Sequence, residues 1–269
     1  MVTHIRYSLI HRIAAWSVHF YTALGLPLMY LAAQELLAHS SQDEQDARMF
    51  FMWMWLAMVV DSSDGVLART VRVERVLPEF SGRRLDDIVD FLSFAFLPCV
   101  AFAIYELFPT HWEWFAIVPI MASGYGFCRE QAKTDNAFVG FPSYWNIVLL
   151  YLYLVQMDPW LNLGIVGFLA AMVFVPIHYI YPTRTTFLRP FTLIFGSVCA
   201  CVLITSSLLP RAAWTTAAAW LSLSFPLYYL ALSIVHHRRV HRDASTSWWS
   251  RHCRNSARRV RRNKTRMSV

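Results

Sequence analysis

A chain of 269 residues that is 57% hydrophobic, 16% aromatic and only 15% charged departs from soluble domains, in which about 25% of residues are charged. Together with a mean hydropathy of +0.38, this excludes an ordinary water-soluble fold and predicts an all-α, polytopic membrane helical bundle. The net charge of +7 belongs to the end of the chain: residues 236–269 hold ten arginines and one lysine against one aspartate, a net of +10, which leaves the remainder at −3.

The opening "MVTHIRYSLIHR" has neither the apolar core nor the small-residue cleavage site of a signal peptide, so the first apolar run is expected to act as an uncleaved insertion signal. Spanning a bilayer takes about 17–25 apolar residues. Eight runs are expected to do so, at 13–37, 47–69, 86–107, 113–133, 143–157, 160–181, 190–209 and 212–235, the fifth being short. In the first run His19 and Thr22 lie three apart on one face, a spacing that fits either a helix–helix hydrogen bond or contact with a bound ligand. The connection at 38–47 is acidic and should face away from the cytoplasm. Those at 70–84 (Arg72, Arg75, Arg83, Arg84) and 181–190 (Arg184, Arg189) are basic and should face it. With the basic end also inside and an even number of spans, both termini are expected to be cytoplasmic.

The organisation expected is one membrane domain, 1–235, followed by a basic cytoplasmic tail, 236–269. That tail reads as a solvated disordered end, or as a polybasic segment on anionic lipid with Trp248 and Trp249 at the interface. The membrane spans weigh against a nucleic-acid partner. The five cysteines show no metal-type or disulfide spacing. No HExxH or Walker-type loop occurs, and "GYGFCRE" at 124–130 lies in a helical apolar run rather than after a strand.

The chemistry concentrates in "DSSDGVLARTVRVERVLPEFSGRRLDDIVDF", residues 61–91, between two apolar runs. Charges beside hydrocarbon are costly and mark function or pairing. On helices, 61, 64, 65 and 68 share one face, and 82, 86 and 90 another. Two antiparallel helices can turn those faces together, so that Asp61, Asp64, Asp86 and Asp90 converge with only small residues between them. Like charges so placed require neutralisation, and carboxylate oxygens suit Mg²⁺ or Mn²⁺. Two such ions form the usual clamp for displacement at phosphorus. Gly65, Ala68 and Gly82 leave room for a ligand near the backbone, and Arg69 supplies a planar donor fork for phosphate. Simpler readings stand beside this one: Asp86 and Asp87 fit charges at a helix N-terminus, and Arg69 fits a snorkelling residue. Asp87, off the stripe of Asp86 and Asp90, is read as a cap.

The pattern D61-x2-D64-G65-x2-A68-R69-x12-G82-x3-D86-x3-D90 resembles the signature of the CDP-alcohol phosphatidyltransferases. The gap of twelve residues between Arg69 and Gly82 is similar to that of the bacterial phosphatidylcholine synthase branch, as are "AAWSVHFYTALG" (14–25) and "FVGFPSYWNIVLLYLYL" (138–154). The resemblance implies a transferase acting on CDP-diacylglycerol and choline to give phosphatidylcholine and CMP, at the cytoplasmic face of a bacterial inner membrane, with Mn²⁺ or Mg²⁺, two ions in all. It implies Asp61, Asp64, Asp86 and Asp90 as metal ligands and Asp90 also as general base. Asp64, Gly65, Ala68, Arg69 and Gly82 would then hold the CDP-diacylglycerol.

A quaternary ammonium is read by aromatic faces. Tyr125, Tyr144 and Trp145, with Phe94 one turn after Asp90, lie near the expected cytoplasmic ends, although belt or packing roles fit aromatic residues there as well. A serine, glycerol phosphate or inositol phosphate acceptor remains open, with Arg129 and Lys133 as the basic groups that would favour a phosphorylated one. A divalent-cation transporter is a more distant alternative, and pairing of two copies as a homodimer is left open.

Overall fold

The structure, a computed structural model, describes residues 7–38, 44–129, 137–180 and 189–235. The expected basic tail and Lys133 fall outside them. The described chain is helical apart from one short ladder, in which β1 (Ala137–Val139) pairs antiparallel with β2 (His178–Ile180), Phe138 opposite Tyr179. The sixth expected span, 160–181, therefore ends early: its helix α9 covers Pro159–Met172, and His178–Ile180 run as strand.

Among the described residues, four helical stretches are long and apolar enough to cross a bilayer: Ala47–Val71, Gly82–Ile104, Arg189–Leu208 and Ala213–Val235. They match four of the eight expected runs to within a few residues. The first run divides into α1 (Leu9–Ala23) and α2 (Gly25–Ala38) around Leu24. The fourth becomes a 3₁₀ turn, Glu113–Ala116, leading into α7 (Ile117–Cys128). The fifth becomes α8 (Trp145–Val155), whose 11 residues reach only about 17 Å at 1.5 Å per residue. That is well short of a hydrocarbon core of about 30 Å. Its apolar character has another cause: nine of its residues are buried, so it is wrapped by protein rather than by lipid.

Around α8 the contacts are polar as well as apolar. Trp145 Nε1 donates to Ser123 Oγ of α7 at 2.6 Å, and the Tyr151 hydroxyl donates to the Ser222 carbonyl at 3.0 Å, at the end of α11 (Ala213–Ser222). Trp55 of α3, which lines a cavity with Asn146 and Leu150 of α8, donates from Nε1 to Ser207 Oγ of α10 (Arg189–Leu208) at 2.9 Å. Hydrogen bonds of this kind fix helix register where lipid provides no hydrophobic drive for association.

Two long elements carry the acid motif. Helix α3 (Glu44–Val71) contains Asp61 to Arg69. It stops where Arg72 turns into the left-handed region at φ 58°, and a single helical turn, α4 (Val73–Val76), follows. Val73, Val76 and Leu77 bury against Ala15 and Val18 of α1. The twelve-residue gap is thus folded back on the first helix rather than left as a free loop. Helix α5 (Gly82–Asp90) then begins behind Ser81, whose hydroxyl accepts from Arg84 N at 3.3 Å.

Immediately after Asp90 the helix widens into a π segment, Phe91–Phe96, before α6 (Leu97–Ile104). Pro98 explains the position. Inside a continuous α-helix its ring would strike the carbonyl four residues back, at Phe94, and one hydrogen bond would be lost. The wider turn absorbs that mismatch, and such turns recur at functional sites.

Candidate active site

Two helices and α1 build the site. The hydroxyls of Tyr21 on α1 and Ser63 on α3 are 2.8 Å apart, which fixes α1 against the segment between Asp61 and Asp64. Farther along, a Cβ at Gly25 would collide with Val89 Cγ1, so the start of α2 approaches α5 as closely as a glycine permits. Helices α3 and α5 are held on a common neighbour, and their acid faces meet.

One carboxylate oxygen from each of Asp61, Asp86 and Asp90 lies within 4.8 Å of the others. Asp64 is buried, at 5% exposure, one turn along α3, whereas Asp61 and Asp86 are half-buried; it is not part of that three-residue group. Oxygens on opposite sides of an Mg²⁺ stand about 4.2 Å apart, twice a bond of about 2.1 Å. The group could therefore close around one hard cation with small side-chain adjustments, and the chemistry of carboxylate donors suits Mg²⁺ or Mn²⁺ better than a soft metal.

The small residues occupy positions where contact is tight. A Cβ at Gly65 would lie 3.3 Å from a terminal nitrogen of Arg69, which shows the guanidinium folded back along α3 over Gly65, with Ala68 beside it. At Gly82 a Cβ would come within 2.6 Å of His19 Cε1, so that position accepts no side chain unless His19 moves.

Asp87 stands outside the three-oxygen group. The reading of Asp86 and Asp87 as N-terminal charges is corrected by the helix start: Ser81 is the cap, and the first turn of α5 holds no acid. Both aspartates lie beyond the reach of the helix-terminus effect, which fades within one turn. Asp87→Asn is accordingly expected to retain transfer within a few-fold and to change stability by less than about 1 kcal/mol, read from turnover and thermal midpoint of the purified protein.

The aromatic residues separate into different environments. Trp145 is fully buried, its indole edge spent on Ser123 and its ring 5.2 Å from Phe141 and 6.4 Å from Phe102. It is enclosed by the core and presents no face to an incoming cation. Tyr125 is half exposed, lies 4.9 Å from Phe174, and has the Arg129 guanidinium carbon 6.0 Å from its ring centre. Tyr144 is 36% exposed and meets Phe94 edge-on at 6.3 Å. Phe94 follows Asp90 by four residues, within the π segment that continues α5.

Sequence reasoning missed Gly25, the Tyr21–Ser63 bond and the Ser81 cap. Only the last carried a local signal, a serine directly before the helical stretch. The other two depend on which helices are neighbours.

No protein-family model matches the chain. Known relatives do: over 183 residues it is 37% identical to the phosphatidylcholine synthase of Pseudomonas aeruginosa, covering 67% of this chain and 74% of the relative. It is 34% identical over 183 residues to that of Legionella pneumophila, covering 65% and 68%. With that of Rhizobium meliloti it shares 36% over 186 residues, covering 67% and 73%. At this identity and coverage, with an acid motif that folds into one cluster, the chain belongs to the phosphatidylcholine synthase family.

Proposed function

We propose that the protein is a phosphatidylcholine synthase, a membrane enzyme that transfers the phosphatidyl group of CDP-diacylglycerol to choline and releases CMP. The observation that carries this reading is the convergence of Asp61, Asp86 and Asp90 from two helices, in a chain whose relatives bear that name.

In this reading Asp61, Asp86 and Asp90 hold one divalent cation, and Asp64 joins them for a second. When bound there, Mg²⁺ or Mn²⁺ would neutralise the carboxylates and supply charge stabilisation for the phosphoryl oxygens. The choline hydroxyl oxygen attacks the phosphorus that bears the diacylglycerol. Its proton passes to the Asp90 carboxylate, and the bond from that phosphorus to the CMP oxygen breaks. Arg69, lying over Gly65, offers paired N–H donors to the phosphate oxygens. Asp64, Gly65, Ala68 and Gly82 line the space for the cytidine diphosphate portion. Eight crossings, cytoplasmic termini and a site at the cytoplasmic face of the inner membrane complete the proposal, because the lipid donor stays in the leaflet while choline arrives from water. The two shorter apolar helices, Trp145–Val155 and Pro159–Met172, would then be enclosed or tilted parts of the bundle.

Purified protein given CDP-diacylglycerol, Mn²⁺ and, in turn, choline, serine, glycerol phosphate or inositol phosphate tests the assignment. Choline should give lipid and CMP in equal amounts, and preference for another alcohol would reassign the acceptor.

Choline selection is assigned to the Phe94–Tyr144 pair, with Tyr125 as the second aromatic face. A desolvated cation–π contact contributes about 2 kcal/mol, so Tyr144→Ala is expected to raise the choline KM roughly 30-fold while leaving the CDP-diacylglycerol KM near that of wild type. Tyr125→Ala should act more weakly, because a guanidinium already lies over that ring. Equal increases for both substrates would move Tyr144 from acceptor choice to support of the fold.

A further inference from the structure

Residues 72–84 join two helical stretches long and apolar enough to cross a bilayer, Ala47–Val71 and Gly82–Ile104. They therefore stand where hydrocarbon gives way to headgroups. Four arginines lie there with exposed side chains: Arg72, Arg75, Arg83 and Arg84. Val73 and Val76 of α4, with Leu77, are buried against α1, which leaves Arg72 and Arg75 on the outer side of that turn. Arg83 and Arg84 occupy the first turn of α5, behind the Ser81 cap, where the helix dipole favours anions and disfavours cations. Two guanidinium groups in that place carry a cost unless an anion meets them. Of the exposed acids in this segment, Glu79 pairs with Arg12 at 3.4 Å, which leaves Glu74 against the four arginines, a net of +3. Beside them the start of α1 exposes Leu9, Ile10 and Ile13, which share one helical face. An apolar stripe next to a group of arginines matches the boundary of a lipid leaflet, whereas a dissolved anion would leave the stripe uncovered.

We propose that Arg72, Arg75, Arg83 and Arg84 form a binding face for anionic phospholipid headgroups of the leaflet around the end of α3 and the start of α5. Guanidinium groups meet phosphate oxygens with paired N–H donors, and arginines close to an anionic leaflet are attracted over about a Debye length. The face is separate from the acid cluster, since α5 brings Asp86 and Asp90 into the three-oxygen group and leaves Arg83 and Arg84 exposed. Bound anionic lipid holds the ends of both helices at headgroup depth, on the end of the bundle that carries the acids. The inference goes beyond the phosphatidylcholine synthase reading and does not depend on which alcohol is the acceptor.

The test uses the full chain reconstituted into phosphatidylcholine bilayers, with spin-labelled phosphatidylglycerol or spin-labelled phosphatidylcholine as the probe. Electron paramagnetic resonance gives the fraction of each probe held at the protein. Wild type should favour phosphatidylglycerol about fivefold, the strength of one arginine at an anionic surface, and the preference should shrink with added salt. A variant with Arg72→Gln, Arg75→Gln, Arg83→Gln and Arg84→Gln together should fall towards parity while keeping its thermal midpoint and its turnover in detergent. If that midpoint falls, the single variants Arg75→Gln and Arg83→Gln take its place, and each should lose part of the preference. Wild-type preference in the folded variants would overturn the proposal and pass anionic lipid to the basic end of the chain. Equal association of both probes with wild type overturns it as well. So does a preference abolished by inorganic phosphate but not by chloride at equal ionic strength, which would make the occupant a dissolved anion. Protein that prefers phosphatidylglycerol but does not consume choline refutes the choline reading and leaves the lipid face intact.

Discussion

Asp61→Asn, Asp86→Asn and Asp90→Asn are each expected to abolish phosphatidyl transfer while the protein still inserts and purifies at wild-type yield. Each change keeps the side-chain volume and removes a negative charge from a group of three oxygens within 4.8 Å of one another. Loss of a single transition-state donor commonly costs about 10²–10³ in turnover, and loss of a metal ligand should exceed that, to at least about 10³-fold. A second readout separates ligand loss from misfolding: Mn²⁺ binding, followed by electron paramagnetic resonance, should weaken in all three variants. Asp64→Asn should also stop transfer, but by removing the second ion alone, so that one Mn²⁺ remains bound. Turnover within a few-fold of wild type in any variant would remove that residue from the site.

Trp145→Ala is expected to have the largest effect on stability. The side chain is fully buried, and its indole N–H reaches Ser123 Oγ at 2.6 Å. Truncation leaves a cavity and removes the indole donor from Ser123 Oγ, which keeps its own bond to the Pro119 carbonyl, and large-to-small changes of this kind cost about 3–5 kcal/mol. The thermal midpoint in detergent should fall steeply, with the yield of folded protein. Trp145→Phe should recover most of the packing but not the bond to Ser123. If Trp145→Ala instead kept its midpoint and lost only choline affinity, the indole would belong to the acceptor pocket and the enclosure described above would be wrong.

The contrast between these residues shows what a sequence makes legible. The acid face could be read because helical periodicity alone decides that 61 and 64, or 86 and 90, point together, and because charge beside hydrocarbon demands an explanation. The long apolar runs could be read from length and hydropathy. Trp145 could not, since an aromatic residue near a helix end reads the same whether it faces choline, lipid or core. The 11-residue helix that carries it is apolar for the same reason a membrane span is, and only its neighbours reveal that protein surrounds it. The close approach of Gly25 to Val89 is a property of two helices at once, so neither segment announces it.

The π segment at Phe91–Phe96 has a consequence for how this site tolerates change. Each residue advances an α-helix by about 100°, so the number of residues between Asp90 and Phe102 sets the angular phase of the acid face relative to the buried face that begins at Leu97. Substitutions in this stretch alter shape and leave the phase alone. Removing one residue would swing Asp86 and Asp90 by more than a quarter turn away from Asp61 while every ligand remained in the chain. Between the acids and Pro98, the residue count would therefore bear on the site alongside the identity of the acids themselves.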